Sequence, residues 1–400
     1  MAVGFYMSHP VNLHHTFLGV FPSYFARKAR SQVLELFTAT AILDLAVAMV
    51  MIFEPIYLYN LGYSLSWIMY FYLGVYVLYF FLMPLGAKFA KQKGFEHSIF
   101  VGSLFHILYF VSLAMSSYVP WIIIVSVCMY ALQKTFYWPS YHADFALYSV
   151  TAERGREISN MAVIVSLVFV FGPLFGGIMS TLGGFPTLFM VVALLILLSN
   201  IPLFVTPEQF DPSNFSYQGA YRRLFAKETW REFFSYIGFG EELIVLTLWP
   251  VFMFVTVKSN LLSVGSVVAG ATLVTSFTVL CIGKMSDRKD KRSIVRAGSV
   301  MYSLVWVLRT LVGGPVGVAV IDTLSRIMKD VISVPMTALV YNRAQKTSVM
   351  SSVVFFEMAL VVGKIVAVIL VLSALAIFGE NSWNAVFLIA AGFSLLYTLR

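Results

Sequence analysis

Charged side chains are scarce in this sequence. Aspartate, glutamate, lysine and arginine make up 12% of its 400 residues, against about 25% in soluble domains. Hydrophobic residues reach 60%. A soluble fold could not hide so much apolar surface, and a bilayer removes the difficulty. Long polar stretches that could build a soluble domain are missing. Cysteine is nearly absent: Cys128 and Cys281 both sit in apolar runs and read as small core residues. The first thirty residues lack the apolar stretch and small-residue cleavage site of a signal peptide. With His9, His14, His15, Arg27, Lys28 and Arg30, residues 1–32 read as a cytoplasmic arm. No phosphate-binding loop or nucleophile motif occurs, so ATP-driven transport and enzymatic catalysis have no support, and no cofactor is expected. His142 and Asp144 have no third ligand nearby, so no metal site is expected.

What is present is a succession of apolar runs. Twelve spans are expected, at roughly 33–57, 65–87, 98–117, 120–146, 158–181, 185–205, 231–257, 261–283, 294–313, 316–340, 350–375 and 383–399. Each can cross a hydrocarbon core of about 30 Å at 1.5 Å per residue. Membrane strands would need alternating segments of about ten residues, and these runs are too long and too uniformly apolar. The fold class expected is therefore all-α. The polar stretch 206–230, with Pro207, Asp211, Pro212, Ser213 and Asn214, divides the chain into six-helix bundles at 33–205 and 231–400.

Lysine and arginine set the orientation. On the side of the N-terminal arm the connecting segments carry 21 of them, the opposite side carries only Lys258, and five lie inside spans. Both termini are expected to be cytoplasmic. The same asymmetry accounts for the net charge of +8 without a nucleic-acid partner. The membrane is read as the inner (plasma) membrane of a bacterium or archaeon, and the protein as a monomer in the lipid bilayer.

Three short sequences bear on kinship. Between spans 8 and 9 the chain reads Gly283-Lys284-Met285-Ser286-Asp287-Arg288-Lys289-Asp290-Lys291-Arg292. Span 5 contains Gly172-Pro173-Leu174-Phe175-Gly176-Gly177, and Glu153-Arg154-Gly155-Arg156 follows span 4. Together with the six-plus-six layout, these resemble the major facilitator superfamily of secondary transporters. The loop between helices 8 and 9 of that family often follows G-x-x-x-D-R-x-G-R-K-R, and here Asp290 replaces the second glycine. The equivalent loop of the first bundle, Gly86 to Gly94, is degenerate, with Ala90 where the aspartate belongs, and the family's arginine early in helix 4 is missing. The resemblance implies a gate motif at Gly283, Asp287 and Arg288. It implies a helix-packing motif at Gly172, Pro173, Gly176 and Gly177, of a kind more typical of proton-driven exporters. Small residues let helices approach closely and proline kinks them.

Ionisable residues at membrane depth cost several kcal/mol unless paired or facing water, so they point to function. The candidates are Asp44 on span 1, Lys134 on span 4, and Glu241 and Glu242 on span 7. Asp322, Arg326, Lys329 and Asp330 follow on span 10, and Glu357 and Lys364 on span 11. In the resembled family helices 1, 4, 7 and 10 line the central cavity. Rise per residue places Asp44 about 16 Å and Lys134 about 18 Å from the cytoplasmic ends of their helices, so the two are expected to pair. Positions 322, 326, 329 and 330 form one stripe, and Glu357 and Lys364 share a face. Glu54, His142 and Asp144 are placed nearer the surfaces, and Arg309 is expected to snorkel outward. Span 7 is expected to break at Gly238-Phe239-Gly240 and to kink again at Trp249-Pro250. The alternative for each charge is a static salt bridge holding helices in register.

These readings lead to a secondary transporter of a small solute working by alternating access. Six midplane acids outnumber four bases, which leans toward proton coupling, with sodium as the alternative ion. The span 5 motif leans toward export. The alternatives are a proton-coupled uptake symporter, a lipid flippase, or a non-transporting receptor or scaffold on the same fold.

Overall fold

The computed structural model describes residues 31–148, 154–204, 214–288, 290–346 and 348–400, and among them only helices and their connections occur. The first run opens with α1 (Ser31–Val50) and α2 (Phe53–Asn60), separated by a turn at Met51 and Ile52. Pro55 explains that break: it has no N–H to offer the Met51 carbonyl four residues back. α3 (Leu65–Lys93) starts at Ser64, whose hydroxyl accepts from Trp67 N–H at 3.3 Å, and ends at Gly94 with φ 108°. α4 (Phe95–Met115) and α5 (Ile122–Tyr148) follow.

Spans 5 and 6 form a single element, α6 (Arg154–Ser199). At 1.5 Å per residue a straight helix of that length would be about twice as long as a bilayer is thick. Gly184 (φ 73°, ψ 172°) interrupts it at a conformation only glycine adopts freely. Its dihedrals remain helical through Pro173, so the break falls where sequence reasoning puts a loop and not at the proline.

A short helix, α7 (Tyr217–Leu224), lies in the 206–230 connection. Span 7 is three pieces: α8 (Trp230–Ile237), α9 (Gly240–Leu246) and α10 (Leu248–Thr256). The first break is at Gly238 and Phe239, as expected. The second is at Thr247 (φ −117°, ψ −65°), two residues before Trp249. The chain continues through α11 (Leu261–Arg288), α12 (Lys291–Leu308), α13 (Gly314–Lys346), α14 (Val349–Phe378) and α15 (Trp383–Leu396). Asp290, the residue that departs from the family pattern, caps α12 by accepting from Arg292 and Ser293 N–H.

Among the described residues eight helical runs are long and apolar enough to cross a membrane, and the run at 383–399 is shorter but apolar. α5 and α13 are less apolar, since α5 carries Gln133 and Lys134 side by side and α13 carries four charges within nine residues. The protein is a multi-pass integral membrane protein.

Packing separates into two groups of elements. α1 runs along α6, α4 packs on α5 and α6, and α3 on α5. Independently, α12 packs on α13 and α15, α11 on α13, and α9 on α14. The groups meet chiefly along α6 with α11 and along α3 with α14. The glycine motif of span 5 makes the first seam. A Cβ on Gly176 would run into the Met49 carbonyl oxygen of α1, and one on Gly172 into Ala48. On the other side Gly177 faces the Leu261 carbonyl, and a Cβ on Gly265 of α11 would meet the Pro173 carbonyl.

At the second seam α7 lies across both groups. Pro84 within α3 leaves the Phe80 carbonyl without its helical N–H, and the Tyr221 hydroxyl donates to that carbonyl at 3.1 Å. Tyr217 donates to the Phe81 carbonyl at 3.0 Å, while Arg223 donates to the Ser352 hydroxyl of α14 at 3.1 Å.

Candidate functional site

The most buried acid in the molecule's centre sits where span 7 is broken. Glu241 and Glu242 occupy the first turn of α9. Glycine brings this piece against α14: a Cβ on Gly240 would lie 2.5 Å from the Gly363 carbonyl oxygen. Glu241 is 0% exposed, so its charge needs partners. Lys329 Nζ of α13 lies 2.5 Å from Glu241 Oε1 and 3.1 Å from Glu242 Oε1. Tyr302 donates to Glu241 Oε2 at 2.9 Å and Tyr397 to Oε1 at 3.0 Å, while Lys329 also donates to Tyr397 at 2.8 Å. Lys364 Nζ of α14 completes the row, 3.5 Å from Glu242 Oε2. Acids and bases thus alternate from α14 through α9 to α13.

Glu357 ties the two groups of elements together. Its Oε2 accepts from the Tyr79 hydroxyl of α3 at 3.0 Å, and its Oε1 is 3.3 Å from His142 Nε2 of α5. Tyr76 of α3 lies between two lysines, its ring centroid 5.2 Å from Lys364 Nζ and 5.6 Å from Lys134 Nζ. Lys134 is closer still to the Tyr130 ring, at 4.1 Å, a cation–π distance. Glu54 is buried beside this aromatic group and accepts from Tyr72 at 2.6 Å.

Several expectations need correction. The Asp44–Lys134 pair is not made: Lys134 turns to Tyr130 and Tyr76, and neither Asp44 nor Asp330 joins an ion pair among the described residues. Glu357 and Lys364 share a face but bond to different helices. The stripe on α13 splits, because Lys329 faces α9 while Arg326 Nε turns back to Asp322 Oδ2 at 2.8 Å, with Trp249 donating to Asp322 Oδ1 at 2.8 Å. Arg309 does not snorkel: it is 1% exposed and lies between Trp249 and Trp306. Nothing in the sequence singles out the tyrosine partners, since tyrosine occurs 21 times. The gate motif Gly283, Asp287 and Arg288 ends α11, and its side chains are outside the described residues, as are those of Glu153, Arg154 and Arg156. No cluster of three metal-ligating side chains occurs among the described residues.

A helical membrane fold with broken span 7 and alternating charges at its centre has the build of a solute transporter. Residues 36–257, over half the chain, match the family model of the Major Facilitator Superfamily, and the chain belongs to that family. It is a secondary transporter and not an enzyme. The fold is similar to that of a point variant of the E. coli fucose:proton symporter FucP, with TM-score 0.63 at 12% identity over 92% of this chain and 98% of that one. No curated protein matches the sequence.

Proposed function

We propose that the protein is a proton-coupled transporter of a small solute working by alternating access, and that it exports. Twelve spans follow if α6 is counted twice at Gly184 and α5, α13 and α15 join the remaining apolar runs. The two packing groups then correspond to bundles at 33–205 and 231–400, joined by the linker 206–230, and the distribution of lysine and arginine puts both termini in the cytoplasm.

The observation that carries the coupling is the Lys364–Glu242–Lys329–Glu241 row on a helix piece broken at both ends. Lys329 holds two carboxylates at once. A proton on either of them leaves Lys329 paired with one only and loosens the tie between α13 and α9. Because α9 hinges at Gly238, Phe239 and Thr247, that loosening permits the piece to move. Protonation is thereby linked to which side the centre opens. Asp44, Lys134, Asp322, Arg326, Asp330 and Glu357 stand as further members of the site. Asp287 is assigned to the cytoplasmic gate, and Asp287→Asn is expected to raise cysteine accessibility from that side; unchanged labelling refutes the gate.

Export rests on the span 5 glycine motif. Uptake by symport is the second reading, supported by the likeness to a fucose:proton symporter. Reconstituted vesicles with an imposed pH gradient and an enclosed pH-sensitive dye decide between them. Members of one solute class are expected to elicit proton flux, and Glu241→Gln with Glu242→Gln to abolish it. Solute-driven flux that survives both substitutions refutes the coupling, and accumulation only in right-side-out vesicles reverses the direction.

A further inference from the structure

Arg309 is a buried cation that the charge row above does not use. It closes the end of α12, and its guanidinium lies 3.7 Å from the Trp306 ring centroid and 4.0 Å from that of Trp249. Two flanking rings replace part of its lost hydration. Its single hydrogen bond is from Nη2 to the Ser325 hydroxyl at 2.6 Å. Among the described residues no acceptor is within reach of its Nε or Nη1, nor of Trp306 Nε1. The nearby carboxylates are already committed, Asp322 to Arg326 and Glu241 to Lys329. The guanidinium Nε and Nη1, and Trp306 Nε1 on the ring beside them, are therefore buried without an acceptor, an arrangement that is costly unless something supplies one.

Arg309 also lines a cavity of about 200 Å³. Phe252, Trp383 and Phe387 give it aromatic walls, and Asn381 and Asn384 lie at its rim, exposed to solvent, while Arg309 and Phe387 are buried. A dry cavity of about 150 Å³ accepts benzene, so this one has room for a ring and a small polar head, yet it is smaller than drug-sized pockets of about 300 Å³ or more. Guanidinium presents paired N–H groups that match a carboxylate.

We propose that this cavity is a binding site for a small aromatic or aliphatic carboxylate, with the anion against Arg309 and the apolar body between Trp383, Phe252 and Phe387. Chloride or water alone would leave the aromatic walls unused. In the topology proposed above, the site faces the outer side, apart from the central charge row.

Tryptophans at the site report on it directly. Purified full-length protein in detergent is titrated with benzoate and, as the uncharged control, benzamide, with tryptophan fluorescence as the readout. Benzoate is expected to give a saturable change and benzamide a response at least about tenfold weaker, since charged hydrogen bonds are worth about 1.5–3 kcal/mol. Arg309→Gln is expected to remove the benzoate response. Where that variant does not fold, Asn384→Asp decides: it is a change at an exposed rim residue that places a like charge by the entrance, and it is expected to weaken benzoate about tenfold and leave benzamide unaffected. An equal response to both ligands, an unaltered benzoate affinity in Asn384→Asp, or saturation by chloride that blocks benzoate overturns the proposal. Binding is read here without flux, so failure leaves the proposed transport intact, and a silent flux assay leaves this site intact.

Discussion

Lys329→Ala is expected to destabilise the protein by about 3–5 kcal/mol, the cost of leaving one partner of a buried ion pair uncompensated. Glu241 is fully buried in this conformation, and two tyrosine hydroxyls cannot replace an ammonium 2.5 Å away. Removing the charge on both sides avoids that cost. Glu241→Gln combined with Lys329→Ala is therefore expected to unfold at a higher temperature than Lys329→Ala alone, with transport lost in both. Thermal unfolding in detergent, followed by size-exclusion chromatography, checks the order. A double variant no more stable than the single one would show that Lys329 and Glu241 are not coupled.

Gly176→Val is expected to prevent assembly of the first packing group. The obstacle is the Met49 carbonyl oxygen, a backbone atom that cannot swing aside as a side-chain tip can. Either α1 must withdraw from α6, exposing the packed Ala46 and Met49 together with Phe53 at the start of α2, or the protein does not fold. Gly270→Ala on α11 is the matched control. Nothing lies within 4 Å of its added Cβ, and replacing a mid-helix glycine is expected to gain about 0.5–1 kcal/mol. Yield of monodisperse protein should collapse for the first and hold for the second. A well-behaved Gly176→Val protein would mean that α1 and α6 have slack the close approach does not reveal.

Particular residues show how far sequence reasoning reaches. Charges within apolar runs stand out against their surroundings, so Glu241, Glu242, Lys329 and Lys364 could be picked from the sequence. Gly238 and Gly240 marked the break that carries the two glutamates. Pairing was less accessible. Asp44 and Lys134 have matched depth, but depth fixes height along a helix and not the direction in which a side chain leaves it, and Lys134 points to tyrosines instead. Tyr79, Tyr302 and Tyr397 were hidden for a related reason: in a membrane protein tyrosine serves lipid, core and hydrogen bond alike, and only the packing of α3, α12 and the chain end tells which. Arg309 follows the same pattern, since its position near a helix end fits snorkelling, whereas Trp249 and Trp306 enclose it.

The proline in α3 gives the connecting segment a mechanical meaning. Tyr221 is bonded to the very carbonyl that Pro84 leaves free, and Arg223, two residues on, grips α14. A helix is weakest in bending where a rung of its ladder is missing, and here the missing rung is replaced by a side chain from a different part of the chain. The connection between α6 and α8 thus acts as a splint across the soft point of α3. Any motion that parts α3 from α14 must first strip that splint away or drag it along, so events on α7, including the binding of another molecule to it, have a direct mechanical hold on the stiffness of a helix that reaches the centre of the protein.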